Sequence, residues 1–206
     1  MAKYIRLNPD SPDSKTVSEI AQALRNGAVI IYPTDTVYGV GCDINQPKAI
    51  ERVAQIKGTQ AKKANLSIVC HNLSHLALFV KPIPNSVFRV LKKYLPGAYT
   101  FILPANNNVP KVFNTKKKEV GIRVPDNNIP RAIVEELGNP IVTTSVIDLD
   151  ELVEYTMDPD MIYERFKDKV DMVIDGGYGN NIASTVVIVN NESFEVIREG
   201  LGEFEA

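Results

Sequence analysis

The chain has 206 residues, 44% of them hydrophobic, and a formal net charge of −2 at pH 7. This length suits one generous domain, and the composition is that of a globular protein with a sizeable core. The small net charge excludes a global attraction to nucleic acid or to an anionic membrane, so any such site would have to be a local basic patch. The two cysteines, Cys42 and Cys70, have no CxxC or disulfide-scaffold spacing, and no apolar stretch resembles a signal or a membrane span. We therefore expect a soluble, cytoplasmic protein.

Apolar runs alternate with helical patterns along the chain. A capping box formed by Thr16 and Glu19 predicts the start of the first helix, which Asn26 and Gly27 end. Further helices are predicted, in chain order, over residues 47–57, 85–94, 129–137 and 159–167. Strands are predicted over residues 28–32, 66–70, 99–103, 120–124, 141–144, 173–174, 184–189 and 194–198. The alternation predicts an α/β fold with a mixed sheet, because the last strands have no helices between them.

The segment AVIIYPTDTVYGVGCD, residues 28–43, is the most informative part of the sequence. A buried strand ends at Pro33, and three side chains with oxygen atoms follow directly, Thr34, Asp35 and Thr36. Open α/β sheets bind small polar ligands at such strand ends. An ordinary Pro-Thr-Asp turn explains the same residues without a ligand, so this segment alone leaves both interpretations open.

Similar polar clusters follow other predicted strands and helices. Lys57-Gly58-Thr59 opens a loop that also carries Lys62 and Lys63, and a cationic loop suits a polyanion such as a nucleoside triphosphate. A solvated surface loop explains this composition equally well. The other clusters are Gly97 before a strand, Thr143-Thr144-Ser145, Asp175-Gly176-Gly177, Ser184-Thr185, and Arg198 with Gly200. So many clusters are hard to explain as independent turns, and they predict one polar ligand site.

Several common sites are excluded or disfavoured. The sequence contains no GxxxxGK[ST] loop and no GxGxxG after a strand. His71 and His75 lack an HExxH pattern or nearby cysteine ligands, so we expect one solvent-facing and one partly packed histidine rather than a zinc site. No GxSxG elbow surrounds Ser145 or Ser184, which disfavours a serine hydrolase. The basic run at residues 116–118 is typical of a solvated face, although it would also suit binding to nucleic-acid phosphates.

A set of motifs identifies a family. In chain order they are YPTDTVYGVGCD, the loop at Lys57, LPGAYTFIL, VGIRVPDN, PIVTTS, DGGY, STVV and IREG. This set resembles the YrdC/YciO family of threonylcarbamoyl-adenylate synthase-like proteins, and the segments LSIVC and TTSV resemble the YciO branch of that family. The resemblance implies a single twisted mixed open sheet with flanking helices, a YrdC-like domain over residues 10–203 with no second domain, and a concave electropositive ligand-binding face.

The resemblance also implies an activity. The synthases bind ATP, L-threonine and bicarbonate and form threonylcarbamoyl-adenylate and pyrophosphate, which makes them nucleotidyltransferases. Partner proteins then pass the threonylcarbamoyl group to tRNA. Mg²⁺ is expected through the ATP phosphates, without metal ligands from the protein and without a tightly bound organic cofactor. No membrane partner is implied.

The site residues carried over from the family divide by role. The catalytic group, which would meet the phosphates, is Lys57, Ser145 and Arg198. The substrate-binding group, in which Thr36, Ser184 and Thr185 would hold the threonine and its carbamate, is Thr34, Thr36, Thr100, Arg123, Thr144, Ser184 and Thr185. These residues are mostly hydroxyls and cations, which suits charge-assisted hydrogen bonds to concentrated anions.

The sequence departs from the synthase pattern at three positions. Thr59 replaces the arginine of the KxR loop, Ile147 replaces the asparagine of SxN, and Cys70 replaces a histidine. Loss of a well-placed donor costs roughly 2.7–4 kcal/mol of transition-state stabilisation. Two alternatives therefore stay open, a synthase that turns over slowly and a paralogue that binds nucleotide, double-stranded RNA or tRNA with little or no synthase activity.

Overall fold

The computed structural model describes residues 1–60, 64–110, 118–146 and 156–205. Within these ranges, ten strands form a single sheet. In chain order the strands are β1 Lys3–Arg6, β2 Ile30–Tyr32, β3 Gly39–Asp43, β4 Ser67–Val69, β5 Tyr99–Pro104, β6 Glu119–Arg123, β7 Ile141–Ser145, β8 Met172–Asp175, β9 Thr185–Asn190 and β10 Ser193–Arg198. Every predicted strand is present, with bounds that differ by one or two residues.

The sheet is mixed, as predicted. Its strand order is β1-β8-β2-β3-β7-β4-β6-β5-β9-β10. The pairs β1·β8, β2·β8, β4·β6 and β5·β9 are parallel. The pairs β2·β3, β3·β7, β4·β7, β5·β6 and β9·β10 are antiparallel. The central strands therefore come from distant parts of the chain, which brings their polar ends together.

Six helices are present in the described part of the chain: α1 Ser14–Arg25, α2 Pro47–Ile56, α3 Leu73–Ala77, α4 Asn85–Tyr94, α5 Asn128–Leu137 and α6 Pro159–Phe166. The predicted capping box at Thr16 is wrong. Asp13 is the N-cap, and its carboxylate accepts hydrogen bonds from the Thr16 backbone N–H at 2.8 Å and hydroxyl at 2.7 Å. The helix therefore begins at Ser14, because the Asp13 carboxylate accepts from the Thr16 N–H, which the capping box would have paired with the Glu19 side chain.

Helices cover the two faces of the sheet unequally. Side chains alternate between the faces of a strand, and neighbours such as Ile30 and Ile31 belong to two different hydrophobic clusters. One cluster joins the sheet to α2, α4 and α6 and reaches from Val173 to Val189. The other joins it to α1 and α5 and includes Tyr32, Val69 and Ile141. The strands beyond β4, towards β9, therefore have one face that α1 and α5 do not cover.

That uncovered face carries small and polar side chains. On β5 and β6, Thr100 and Gly121 point away from the cluster that contains Phe101 and Ile122. A Cβ atom on Gly121 would lie 2.7 Å from the Ser67 hydroxyl, so the glycine leaves space at this point. The alternation that builds the core on one face thus leaves a polar hollow on the other.

Three elements have no counterpart in the sequence prediction, namely β1, β3 and α3. The strand β3 has the sequence GVGCD, and glycine is depleted in strands. A Cβ atom on Gly39 would lie 2.9 Å from the ring of Tyr32, and one on Gly41 would lie 2.5 Å from Ile141 Cγ2. Close packing across the sheet, rather than turn formation, therefore accounts for these glycines.

Candidate functional site

A cavity of about 580 Å³ lies on the uncovered face of the sheet, within the usual range for small-molecule sites. It brings together residues from eight strands and from the loops that follow α2 and β2. Eight of the predicted site residues line it: Thr34, Lys57, Thr100, Arg123, Thr144, Ser145, Ser184 and Arg198. Residues separated by 164 positions, from Thr34 to Arg198, therefore share one site.

The other two predicted residues, Thr36 and Thr185, are not among the lining residues. Thr36 is fully buried, and its hydroxyl lies 3.2 Å from the Thr34 hydroxyl. The Thr185 hydroxyl donates to the Gly202 carbonyl at 2.5 Å and accepts from the Gly200 N–H at 3.0 Å. In this structure the Thr36 hydroxyl contacts the Thr34 side chain, and the Thr185 hydroxyl bonds the backbone of Gly200 and Gly202. Their direct contact with substrate stays a prediction.

A hydrogen-bonded chain of three side chains forms one end of the cavity. The hydroxyls of Thr100, on β5, and Ser184, before β9, lie 2.8 Å apart. The Arg198 guanidinium, at the end of β10, donates to the Ser184 carbonyl from Nε at 3.1 Å and from Nη2 at 2.6 Å. The guanidinium is thus oriented by backbone while its charge is not offset by a bonded carboxylate within the described residues.

Lys57 contributes a second cation near Arg198. It follows the last residue of α2, and its ammonium donates to the Ala64 carbonyl at 2.6 Å. Burial, and then the positive charge of Arg198, lower the pKa of Lys57 below its usual value of 10.5. Two cations that raise each other's electrostatic energy are stabilised by an anion placed between them. This end of the cavity therefore suits a polyanion.

A different cation lies at the end of β6. Arg123 donates from Nη2 to the carboxylate of Asp35, and the two side chains are 10% and 13% exposed. Asp35 sits in a turn that Thr34 fixes, because the Thr34 hydroxyl accepts from the Thr36 N–H at 3.0 Å and donates to the Val37 carbonyl at 2.7 Å. Sequence analysis noted Asp35 as a turn residue but did not pair it with Arg123, since only the fold brings the two together.

The floor between these ends contains the Thr143 hydroxyl, from a cluster that the sequence analysis noted, and the hydroxyls of Tyr32 and Ser67, which it did not assign to the site. Tyr32 donates to the Thr143 hydroxyl at 2.7 Å, and Thr143 donates to the Val40 carbonyl at 3.1 Å. Burial raises the pKa of Tyr32 to about 12, so its hydroxyl remains a donor. Ser67 lines the cavity from β4. Alternation along a strand could have indicated Ser67, because residues two apart share one face of the sheet and both Ser67 and Val69 line the cavity.

Two of the three residues that depart from the synthase pattern, Thr59 and Cys70, are described by the structure. Thr59 is half-buried, its backbone N–H donates to the Ala54 carbonyl at 3.1 Å, and it is not among the cavity-lining residues. Ile147, Lys62, Lys63 and residues 116–117 of the basic run lie outside the described residues. The buried Cys70 follows β4, and its backbone N–H donates to the Arg123 carbonyl at 2.9 Å.

The described ranges contain neither a cluster of metal ligands nor a membrane-spanning helix. No group of three or more His, Cys, Asp or Glu side chains there could hold a metal ion. No helix of those ranges has both the length and the apolar character that a membrane span requires. The two histidines form a pair instead: His71 Nδ1 and His75 Nδ1 lie 2.9 Å apart, with His75 buried and His71 partly exposed.

Known proteins share the sequence and the fold of this chain. The model of the Sua5/YciO/YrdC family, described as telomere recombination, matches residues 22–200. The uncharacterised protein YciO of Escherichia coli K12 is 35% identical over 205 residues, which is 98% of each chain. The crystal structure of E. coli YciO superposes with a TM-score of 0.90 over 98% of both chains. The predicted resemblance to the YciO branch is therefore confirmed.

Relatives with a named activity or ligand are more distant. The threonylcarbamoyl-AMP synthase of Chromobacterium violaceum is 33% identical over 137 residues, 66% of this chain and 70% of that one. The structure of P. abyssi Sua5 complexed with L-threonine matches with a TM-score of 0.84 and 26% identity, over 97% of this chain and 57% of the Sua5 chain. The match thus holds in the family model, in sequence identity and in fold. This chain belongs to the Sua5/YciO/YrdC family.

Proposed function

We propose that this chain is a threonylcarbamoyl-AMP synthase-like nucleotidyltransferase, which joins L-threonine, bicarbonate and ATP into threonylcarbamoyl-adenylate and pyrophosphate. One observation carries the proposal: eight dispersed residues that the family motifs single out line one cavity of about 580 Å³. The name of the Chromobacterium relative and the L-threonine complex of Sua5 support the choice of substrates.

The cationic end of the cavity is the place for the triphosphate. Lys57 and Arg198 are close enough that the charge of Arg198 lowers the pKa of Lys57, and Ser145 and Ser184 offer hydroxyls in the same cavity. Phosphate oxygens form charge-assisted hydrogen bonds with such groups. Mg²⁺ would arrive with ATP and neutralise charge on the departing pyrophosphate. With Lys57 and Arg198 in its lining, we expect this end of the concave face to be electropositive.

The reaction needs positioning rather than a protein nucleophile. The amino nitrogen of L-threonine attacks the bicarbonate carbon, and loss of water leaves a carbamate. A carbamate oxygen then attacks the α-phosphorus of ATP, and the bond from that phosphorus to the bridging oxygen breaks. Pyrophosphate leaves with the bonding electrons. The protein aligns the attacking oxygen with the phosphorus and stabilises the leaving group.

The acceptor of the product is a further part of the proposal. Threonylcarbamoyl-adenylate is a mixed anhydride, so a partner protein must transfer its acyl group before water does, and tRNA adenosine is the acceptor that the family implies. A cytoplasmic location is consistent with these substrates. If turnover is absent, the same cationic cavity would serve a paralogue that binds nucleotide or double-stranded RNA, with binding that weakens as salt rises.

Pyrophosphate release tests the proposal. ATP, Mg²⁺, L-threonine and bicarbonate are combined and each is omitted in turn. We expect release only with the complete mixture, and a fall of about 10²-fold in Lys57→Ala. Lys48→Ala is the matched control, because Lys48 is exposed on the same helix, α2, and does not line the cavity. Release that persists without L-threonine, or an unchanged rate in Lys57→Ala, would contradict the proposal.

A further inference from the structure

The ion pair of Asp35 and Arg123 divides the cavity into two ends of different charge. Arg123 lines the cavity, and its backbone is fixed by pairing with Val69 and by the Cys70 N–H, which donates to its carbonyl at 2.9 Å. The carboxylate of Asp35 offsets its charge at contact distance. Asp35 itself is not among the lining residues. At this end, therefore, the Arg123 guanidinium can still donate a hydrogen bond to a ligand, but the net charge of the ion pair is almost zero.

One donor at this end lacks an acceptor. Arg123 is 8% exposed, and its Nε is buried with no hydrogen-bond partner among the described residues. Buried N–H groups without acceptors are rare, since each costs the lost hydrogen bond to water. Because Nη2 is held by Asp35, the unsatisfied Nε indicates an acceptor that a ligand supplies. An anionic oxygen fits this donor best.

The other end of the cavity lacks such compensation. Lys57 and Arg198 donate to the carbonyls of Ala64 and Ser184, and neither forms an ion pair with another described residue. A phosphate chain near them meets two positive charges that no ion pair with a described residue offsets. Near Arg123 the same chain meets a guanidinium whose charge is offset by the paired carboxylate of Asp35.

We infer that Asp35 determines specificity within the cavity: by neutralising and orienting Arg123, it reserves that end for a singly charged carboxylate and directs polyphosphate to Lys57 and Arg198. A carboxylate gains the unsatisfied Nε–H of Arg123. A polyphosphate gains no more than this at Arg123, because Asp35 offsets the charge of the guanidinium, whereas it gains strong attraction from Lys57 and Arg198 at the other end. This inference rests on the proposed function, because it assumes an amino acid and a nucleotide as ligands.

The test follows the Nε–H signal of Arg123 by NMR, identified as the cross-peak that Arg123→Lys removes. Wild-type protein and Asp35→Asn are each titrated with L-threonine and, separately, with pyrophosphate. Asparagine keeps the side-chain oxygen that accepts from Nη2 but removes the negative charge. Asp43→Asn is the matched control, since Asp43 is also a buried acid, at 2% exposure, but lies outside the cavity lining.

In wild type we expect L-threonine, and not pyrophosphate, to shift the Arg123 signal. In Asp35→Asn, pyrophosphate should shift it with an affinity at least about tenfold higher than in wild type, while Asp43→Asn behaves as wild type. An unchanged pyrophosphate response in Asp35→Asn would overturn the inference. If that variant does not fold, the wild-type titrations decide: a shift with pyrophosphate as large as that with L-threonine would overturn it too.

The titrations and the turnover assay test the two proposals independently. The titrations require no catalysis, so a protein that releases no pyrophosphate from ATP can still bind L-threonine and pyrophosphate at different ends of the cavity. Conversely, substrate-dependent release with an Arg123 signal that pyrophosphate shifts would sustain the proposed function and reject the role of Asp35. Threoninol, which lacks the carboxylate, identifies the group that Arg123 contacts, since it should leave the signal in place.

Discussion

The pair formed by His71 and His75 predicts a specific loss of stability in acid. His75 lies in α3, 6% exposed, with Phe79 packed edge-on at 5.5 Å and His71 Nδ1 at 2.9 Å from its own Nδ1. Burial, and then the charge of His71, lower the pKa of His75 from 6.5 to about 4. The folded state therefore holds His75 neutral, whereas the unfolded state takes up a proton near pH 6.5.

The sign and size of the effect follow from linkage. Because the unfolded state binds the extra proton between pH 6.5 and about 4, the stability from neutral His75 is present above pH 6.5 and is lost as the pH falls through this window. With these two pKa values, the loss between pH 7 and pH 5 is about 2 kcal/mol. Such a loss is a large fraction of the stability of a typical domain.

Urea unfolding at pH 7 and pH 5 measures this difference. Wild type should lose about 2 kcal/mol more than His75→Gln, which lacks the titrating group. His71→Gln is the control: it removes the smaller cause of the pKa shift and should keep most of the pH dependence. Equal losses in wild type and His75→Gln would refute the reasoning, because they would assign the acid sensitivity to other groups.

Three further predictions concern the cavity. Since burial and Arg198 lower the pKa of Lys57, the affinity for pyrophosphate should fall as the pH rises towards 10.5. Calorimetry should find a flatter pH profile of affinity in Lys57→Arg, because arginine does not titrate in this range. Parallel profiles in wild type and Lys57→Arg would argue against a role of the Lys57 charge in binding. Gly200→Ala places a Cβ atom 2.3 Å from the Ala183 carbonyl, so denaturation should reveal a loss of about 1–3 kcal/mol, absent in the exposed neighbour Glu199→Ala. Gly121→Ala meets only the Ser67 hydroxyl closely, so the melting temperature should stay near wild type while ATP affinity falls about tenfold; unchanged affinity would exclude this part of the floor from the ligand site.

Local signals were sufficient for most of the fold. The spacing of apolar residues predicted α4 with its observed bounds, 85–94, and Pro47 marked the start of α2. The strand β3 was missed because its glycines resemble a turn, and only their close packing against Tyr32 and Ile141 across the sheet explains them. The start of α1 was misplaced because two acceptable caps, Asp13 and Thr16, lie three residues apart.

The site was predictable only in part, for a similar reason. Motifs marked Lys57, Arg198 and the hydroxyls that end strands, and the fold gathers most of them into one cavity. No local pattern joins Asp35 to Arg123, which lie 88 residues apart. Nor does a motif indicate that the hydroxyls of Thr36 and Thr185 are occupied by neighbouring groups. Such pairings depend on strand order, which the sequence alone leaves open.

A crystal structure with L-threonine and a non-hydrolysable ATP analogue tests most directly whether one cavity holds both substrates. The account predicts the phosphates against Lys57 and Arg198 and the threonine carboxylate within hydrogen-bond distance of Arg123 Nε. Two results would contradict it. One is binding of the ligands in the smaller cavity beside Val80 and Val189, and the other is a 580 Å³ cavity that contains no ligand although both ligands are in excess.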